Sequence, residues 1–157
     1  MLANIANDVV CNQPAAMGNF DMTKLAGDWY EQQHTKTPNE MSMSCSESQY
    51  GTPTADADDA SLMDFKITES YQTEFMGHWT PRLSIGAKGK CDTSGNCYFS
   101  YFGKKVDTPN MIVVDTDYDT YTIMYSCDTA NNQETVWLNS RDPMMSDDAF
   151  NAMYAKA

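Results

Sequence analysis

The chain has 157 residues, with ten Lys and Arg against twenty-two Asp and Glu, for a formal charge of -12. That length predicts one domain, and that charge excludes the basic stripe of a nucleic-acid binder and disfavours docking on an anionic membrane. Hydrophobic residues make up 41% and aromatics 11%, enough for a core, and no apolar run approaches the roughly 18 residues of a membrane span.

Residues 1–19 read as an N-terminal coil. Its start, MLANIANDVVCNQPA, lacks the basic flank of a signal peptide. It fits a mature secreted chain behind an initiator Met1, or an intracellular protein whose cysteines stay thiols. A short helical turn is expected at 20–25, with Asp21 as N-cap and Gly27 as its stop. Runs rich in β-branched and aromatic residues then predict eight strands, at 28–35, 45–52, 61–70, 83–88, 97–104, 110–116, 120–127 and 134–139. Turn-forming stretches such as Thr37-Pro38-Asn39, Thr52-Pro53-Thr54 and Thr93-Ser94-Gly95-Asn96 separate them. Residues 71–81 read as a long loop or an irregular strand end, and the acidic run 55–60 as a solvated loop tip. Ser146 caps a last helix over 146–156, with Asp147 and Asp148 in its first turn and Phe150, Met153 and Tyr154 on one face.

Connections this short hold no crossover helices, so the strands run antiparallel and up-and-down. Eight such strands hide their edges by closing on themselves, and the resulting barrel is wide enough for one small ligand. The expected fold class is all-β, an eight-stranded antiparallel up-and-down β-barrel with a C-terminal α-helix. The expected organisation is a single domain with coil at 1–19, barrel at 20–141 and helix at 145–157.

Five cysteines, Cys11, Cys45, Cys91, Cys97 and Cys127, form no CxxC pair, and the chain has only two histidines. That pattern suits disulfides in an oxidising compartment better than zinc. An odd count leaves at least one thiol unpaired, or bridged to another molecule. Choosing four of the five to pair leaves about 15 connectivities. Cys91 and Cys97 flank a short turn and are candidates for a hairpin disulfide, while Cys45 bonded to either of them is a competing choice.

The motifs of common hydrolases, metalloproteases and nucleotide binders are missing. Asp115, Asp117 and Asp119 alternate as a calcium loop begins, but Thr120 stands where such a loop needs glycine, and Ser126 where it needs glutamate. His34 and His78 read as surface or loop residues before haem ligands.

Three short motifs in order carry a resemblance. They are Gly27-Asp28-Trp29, Thr116-Asp117-Tyr118, and Arg141 at the end of the eighth predicted strand. Together, across about residues 20–143, they resemble the signatures of the lipocalin family, in particular its apolipoprotein D and bilin-binding branch. Gly27 permits a tight turn into the first strand, Trp29 plugs the narrow end, and Arg141 can lie on that indole and bond carbonyls of the N-terminal coil. These six residues, Gly27, Trp29, Thr116, Asp117, Tyr118 and Arg141, are therefore read as structural. The branch resemblance implies a Cys11–Cys127 disulfide. Cys45 matches a cysteine whose partner in that branch lies beyond the final helix, which makes it the odd thiol and a candidate dimer bridge in a homo-oligomer.

Strand alternation supplies the expected ligand-binding set. With Trp29 inward, Glu31 and Gln33 follow. Trp137 shares the parity of Arg141, and Tyr121 and Tyr125 share a face of the seventh strand. Phe65 is taken over Ile67 in the third strand and Phe99 over Tyr98 in the fifth. Tyr50, Trp79 and Tyr101 complete the set. Met41, Met43, Met144 and Met145 fall in predicted loops, where methionine serves equally as ligand contact or filler.

What the resemblance implies is a secreted carrier or sequestering protein for a small hydrophobic ligand, with no obligatory cofactor and no catalytic residues. The implied ligands are a chromophore such as a bilin or a carotenoid, or else a sterol, retinoid or fatty acid. A competing reading is a lipid-modifying enzyme or isomerase using Cys45 as nucleophile.

Overall fold

The computed structural model describes residues 11–35 and 43–157, so the start of the coil, the Thr37-Pro38-Asn39 turn and Met41 lie outside the described residues. The first element is α1 (Met22–Leu25), where the Asp21 carboxylate accepts from the Thr23 amide at 3.0 Å. The strands follow in chain order: β1 (Gly27–His34), β2 (Met43–Tyr50), β3 (Thr54–Ala55), β4 (Met63–Phe75), β5 (His78–Trp79), β6 (Leu83–Cys91), β7 (Asn96–Tyr101), β8 (Met111–Thr116), β9 (Tyr121–Asp128) and β10 (Gln133–Ser140). Helix α2 (Asp147–Tyr154) ends the fold, capped by Ser146, whose hydroxyl accepts from the Ala149 amide at 3.3 Å.

Among the described residues, eight strands form a closed antiparallel barrel in the order β2-β1-β10-β9-β8-β7-β6-β4, and β4 returns to pair with β2. Closure rests on pairs such as Tyr50 opposite Ile67 and Ser48 opposite Glu69. Both two-residue strands are accessories of β4, with β3 pairing its start and β5 its end.

Two differences from the sequence reading lie at the two ends of β4, just before it and at its far end. The uncertain stretch 71–81 is strand through Phe75, a turn at Met76 and Gly77, and the return strand β5. Left-handed φ values at Met76 (51°) and Gly77 (79°) make that turn tight enough for a hairpin. The acidic run 55–60 is not a wholly solvated tip. Asp56 is buried, accepts from the amides of Asp58 and Asp59 at 2.8 and 2.7 Å, and forms an ion pair with Lys90.

One end of the barrel is shut. Trp29 is 1% exposed there, and its indole N–H donates to the Leu25 carbonyl at 2.8 Å. Arg141 covers the ring, with its guanidinium carbon 3.9 Å from the ring centroid. Its nitrogens donate to the carbonyls of Lys24, Asp28 and Tyr118, each at 3.0 Å. Gly27, at φ 104°, lets the chain pass beneath, since a Cβ there would stand 3.0 Å from an Arg141 nitrogen. Thr116, Asp117 and Tyr118 form the neighbouring turn. Asp117 accepts from the Thr120 and Tyr121 amides at 2.8 and 3.0 Å, and these bonds, with that from Thr120 Oγ1, hold its carboxyl below the usual carboxylate range against the opposing pull of burial.

Two disulfides fasten this frame, Cys11–Cys127 and Cys91–Cys97, and Cys45 is free and exposed. The first ties the N-terminal segment to the end of β9. Beside it, the Asn12 amide donates to Glu134 at 2.7 Å.

The inner core gathers Trp29, Leu25, Phe65, Ile67, Phe99 and Val113. A separate outer cluster of Ile123, Leu138 and Met153 lies where α2 covers β9 and β10, with Tyr121, Met145 and Phe150 packed against it. Phe150 and Met153 therefore share the buried face as expected, but Tyr154 is 58% exposed and only stacks on Phe150.

Candidate functional site: an open cavity above an aromatic floor

Opposite the shut end, the barrel encloses a cavity of about 470 Å³. Its floor is aromatic. Tyr50 and Phe99 line it, and beneath them Phe65 meets both rings edge-on with centroids 5.9 Å apart. Gly89 makes room for Phe65, because a Cβ at Gly89 would come within 2.4 Å of that ring. The Tyr50 hydroxyl donates to the Met124 sulfur at 3.5 Å, and burial, with the nearby charge of Glu69, raises its ionisation well above the usual phenol range.

The walls mix apolar and acidic groups. Trp137 and Asn139 line the β10 side, Met111 and Met124 the β8 and β9 side, and Ile85 the β6 side. Glu31, Glu47 and Glu69 also line the cavity. Glu69 accepts from the Tyr101 hydroxyl at 2.6 Å, Glu31 is bonded by His34 Nδ1, and Glu47 faces Arg82 at 3.4 Å. Phe102, 88% exposed, and Asn110 sit on the β7–β8 connection at the mouth. Asn110 is fixed by a two-way bond to the Phe99 backbone, at 2.7 and 2.8 Å.

Of the ten residues expected to bind ligand, Glu31, Tyr50, Phe99, Tyr101 and Trp137 line this cavity. The other five lie elsewhere, each for a definite reason. Gln33 is turned out by a bulge in β1, where Glu31 pairs with Asn139 but Gln33 already pairs with Leu138 of the outer cluster. His34 thereby comes opposite Trp137 and reaches Glu31, so it is not a plain surface residue. Phe65 packs below the floor. Ile67, two residues on and so on the same face, is buried beside it instead of facing outward. Trp79 is 56% exposed on the β4–β5 arm, off the barrel wall.

Tyr121 and Tyr125 face outward. Tyr121 packs on the outer cluster and donates to Asp115 at 2.7 Å, and Tyr125 donates to Glu134 at 2.7 Å. Burial and that carboxylate push the Tyr125 phenol up to about 12. The alternate residues of β9, Met124 and Ser126, take the inner positions. Met43 is a strand residue lining the cavity, Met145 packs under α2 and Met144 is 84% exposed. The sequence reading missed Glu69 and Met124. Counting by twos from Phe65 reaches Glu69. Met124 was masked because both faces of β9 are apolar.

The family model described as the lipocalin / cytosolic fatty-acid binding protein family matches residues 89–155. Among solved structures, the cockroach major allergen Per a 4 superimposes with a TM-score of 0.68 at 22% identity, covering 94% of this chain and 87% of that one. The chain has the lipocalin fold. The same lipocalin architecture appears in insecticyanin from the tobacco hornworm Manduca sexta, with a TM-score of 0.67 and 18% identity over 94% and 77% of the two chains. It appears again in lobster apocrustacyanin A1, with a TM-score of 0.64 and 19% identity over 97% and 84%. No curated protein sequence matches the chain.

Proposed function

We propose that this lipocalin barrel binds a small hydrophobic ligand in its cavity and carries or sequesters it. The observation that carries this reading is the cavity itself, about 470 Å³, floored by Tyr50 and Phe99 and walled by Trp137 and Met124. That is the size and character of a site for one small, largely apolar molecule with a polar end. A flat conjugated body such as a bilin or carotenoid fits such aromatic walls better than a plain acyl chain, with a sterol or retinoid between them. The two disulfides support a secreted protein.

A carrier role is favoured over catalysis through Cys45. The thiol is exposed and is not among the residues lining the cavity, whereas its neighbours Met43 and Ser46 are. The test is an absorption spectrum of protein purified from its native tissue, followed by solvent extraction and mass spectrometry. A visible band or a stoichiometric apolar small molecule supports the reading. An empty extract, together with no saturable binding of any apolar ligand in a panel, overturns it.

A further inference from the structure

Asn139 lines the cavity and is only 9% exposed. Among the described polar residues of that lining, Asn139 and Tyr50 alone are buried. The Tyr50 hydroxyl is engaged with the Met124 sulfur at 3.5 Å. The Asn139 backbone is engaged in the ladders with β1 and β9, but its carboxamide has no hydrogen-bond partner among the described residues.

Strand pairing gives the depth of this group. Asn139 stands opposite Glu31 on β1 and Thr122 on β9. Directly opposed residues of antiparallel strands share a face, so all three turn inward. Glu31 is two residues past the Trp29 plug, and Asn139 is two residues before the Arg141 that covers it. The next inward pair toward the mouth is Trp137 with Met124. Asn139 therefore lies at the deep end of the cavity. Thr122 beside it is 0% exposed, and its hydroxyl also has no partner among the described residues.

A carboxamide offers two N–H donors and a carbonyl acceptor. Leaving such a group unpaired in an apolar interior is unfavourable, and buried polar groups are as a rule hydrogen-bonded. A hydroxyl or carbonyl oxygen accepts from the N–H groups, and a hydroxyl also donates to the carbonyl. An ionised acid is a poorer match. The amide carries no charge to offset its burial, none of the described lining residues is Lys, Arg or His, and Glu31 stands opposite.

We propose that Asn139 is the polar anchor of the cavity, and that the ligand enters with an uncharged oxygen group, a hydroxyl or a carbonyl, leading an apolar body. The oxygen sits at the Asn139 carboxamide, and the body lies along Met124 and Phe99 toward the mouth. The proposal rests on the cavity being the binding site and narrows the ligand class, putting an apolar alcohol or ketone ahead of a fatty acid.

The test uses the whole protein at neutral pH with a neutral fluorescent reporter, N-phenyl-1-naphthylamine. Three ligands of similar shape compete with it: 2-phenylethanol, ethylbenzene and phenylacetate. Phenylacetate is expected to displace the reporter least. Asn139→Leu is expected to weaken 2-phenylethanol about ten-fold relative to ethylbenzene, as one hydrogen bond to a buried amide predicts. A merely structural role for Asn139 would weaken both ligands alike. An alcohol-to-hydrocarbon ratio that does not change overturns the proposal, as does phenylacetate binding best. Reporter binding that 2-phenylethanol does not displace also overturns it, while leaving the cavity reading intact. A reporter that does not bind at all removes the cavity reading and this proposal together. Should Asn139→Leu fail to fold, nuclear magnetic resonance of the wild-type protein decides. The Asn139 side-chain amide signals are expected to move further with saturating 2-phenylethanol than with ethylbenzene, and equal movement contradicts the proposal.

Discussion

Arg141 lies flat over Trp29, 3.9 Å from its centroid, and the same guanidinium bonds backbone carbonyls from α1, β1 and the β8–β9 turn. One side chain thus ties three pieces of chain to the plug of the closed end. Lysine cannot reproduce a planar fork that stacks and bonds several acceptors at once. Arg141→Lys is therefore expected to cost about 2 kcal/mol, from the lost stacking and the weakened charge-assisted bonds to these carbonyls, two of which water can reach. Urea unfolding followed by tryptophan fluorescence measures it. A loss under about 1 kcal/mol would show that the stacked geometry matters little.

Phe65 fits under the cavity floor only because residue 89 has no side chain. Gly89→Ala must push the ring toward Tyr50 and Phe99, and overpacking of this kind costs about 1–3 kcal/mol. Reporter affinity should fall with it, since the floor rises. Gly86, three residues earlier on the same strand, has nothing within 4 Å of its Cβ position, so Gly86→Ala should leave both stability and reporter binding unchanged. Equal behaviour of the two variants would contradict the packing described.

The two disulfides close loops of very different length, with separations of 116 residues for Cys11–Cys127 and 6 for Cys91–Cys97. On the chain-entropy view, losing the first costs about 5 kcal/mol and losing the second about 2 kcal/mol. Paired Cys→Ser variants, compared by urea unfolding, test the ranking. The reverse order would mean that burial of Cys91 and Cys97 in the core, and not loop length, governs their contribution.

The Asp56–Lys90–Asp64 group should make stability depend on acid in a specific sense. Asp56 is held well below the usual carboxylate range, first by its bond from Lys90 and then by the Asp59 and Asp58 amides. Its folded pKa lies below the unfolded one, so its contribution is present above the unfolded pKa and is lost as pH falls through the folded value. Asp64 is shifted the opposite way, mainly by burial and by Asp56 beside it. Asp56→Asn should therefore melt lower than wild type at pH 7, with the gap closing as pH falls below the ordinary carboxylate range. A gap constant across that range would contradict the ion pair.

How much of this was legible in the sequence depends on which side of the wall a residue serves. The eight barrel strands, the Asp21 and Ser146 caps, and the Gly27, Trp29 and Arg141 end follow from turn chemistry and short motifs, because local physics sets them. The cavity list followed only where alternation runs unbroken, as from Phe99 to Tyr101. It failed at Gln33 because a bulge, which leaves no mark in composition, shifts the phase of β1 by one residue. It failed at Tyr121 and Tyr125 because α2 covers the outside of β9 and makes both of its faces apolar. Trp79 failed because β4 runs on past the barrel and carries its hairpin away from it. The Lys90 partner of Asp56 lies 34 positions away, beyond any local pattern.

That reassignment is itself testable. Tyr121→Ala removes packing against the outer cluster and should lower stability by about 2–4 kcal/mol while leaving reporter affinity unchanged. Trp137→Ala opens the cavity wall and should weaken reporter binding by about ten-fold or more. If Tyr121→Ala abolishes reporter binding in a protein that is still folded, the outward placement of that strand face is wrong.

The most direct measurement is a crystal structure of the protein with N-phenyl-1-naphthylamine bound. Ligand density is expected inside the barrel, above Tyr50 and Phe99 and against Trp137 and Tyr101. Density confined to the outer surface, or a barrel whose interior is filled by its own side chains, would contradict it.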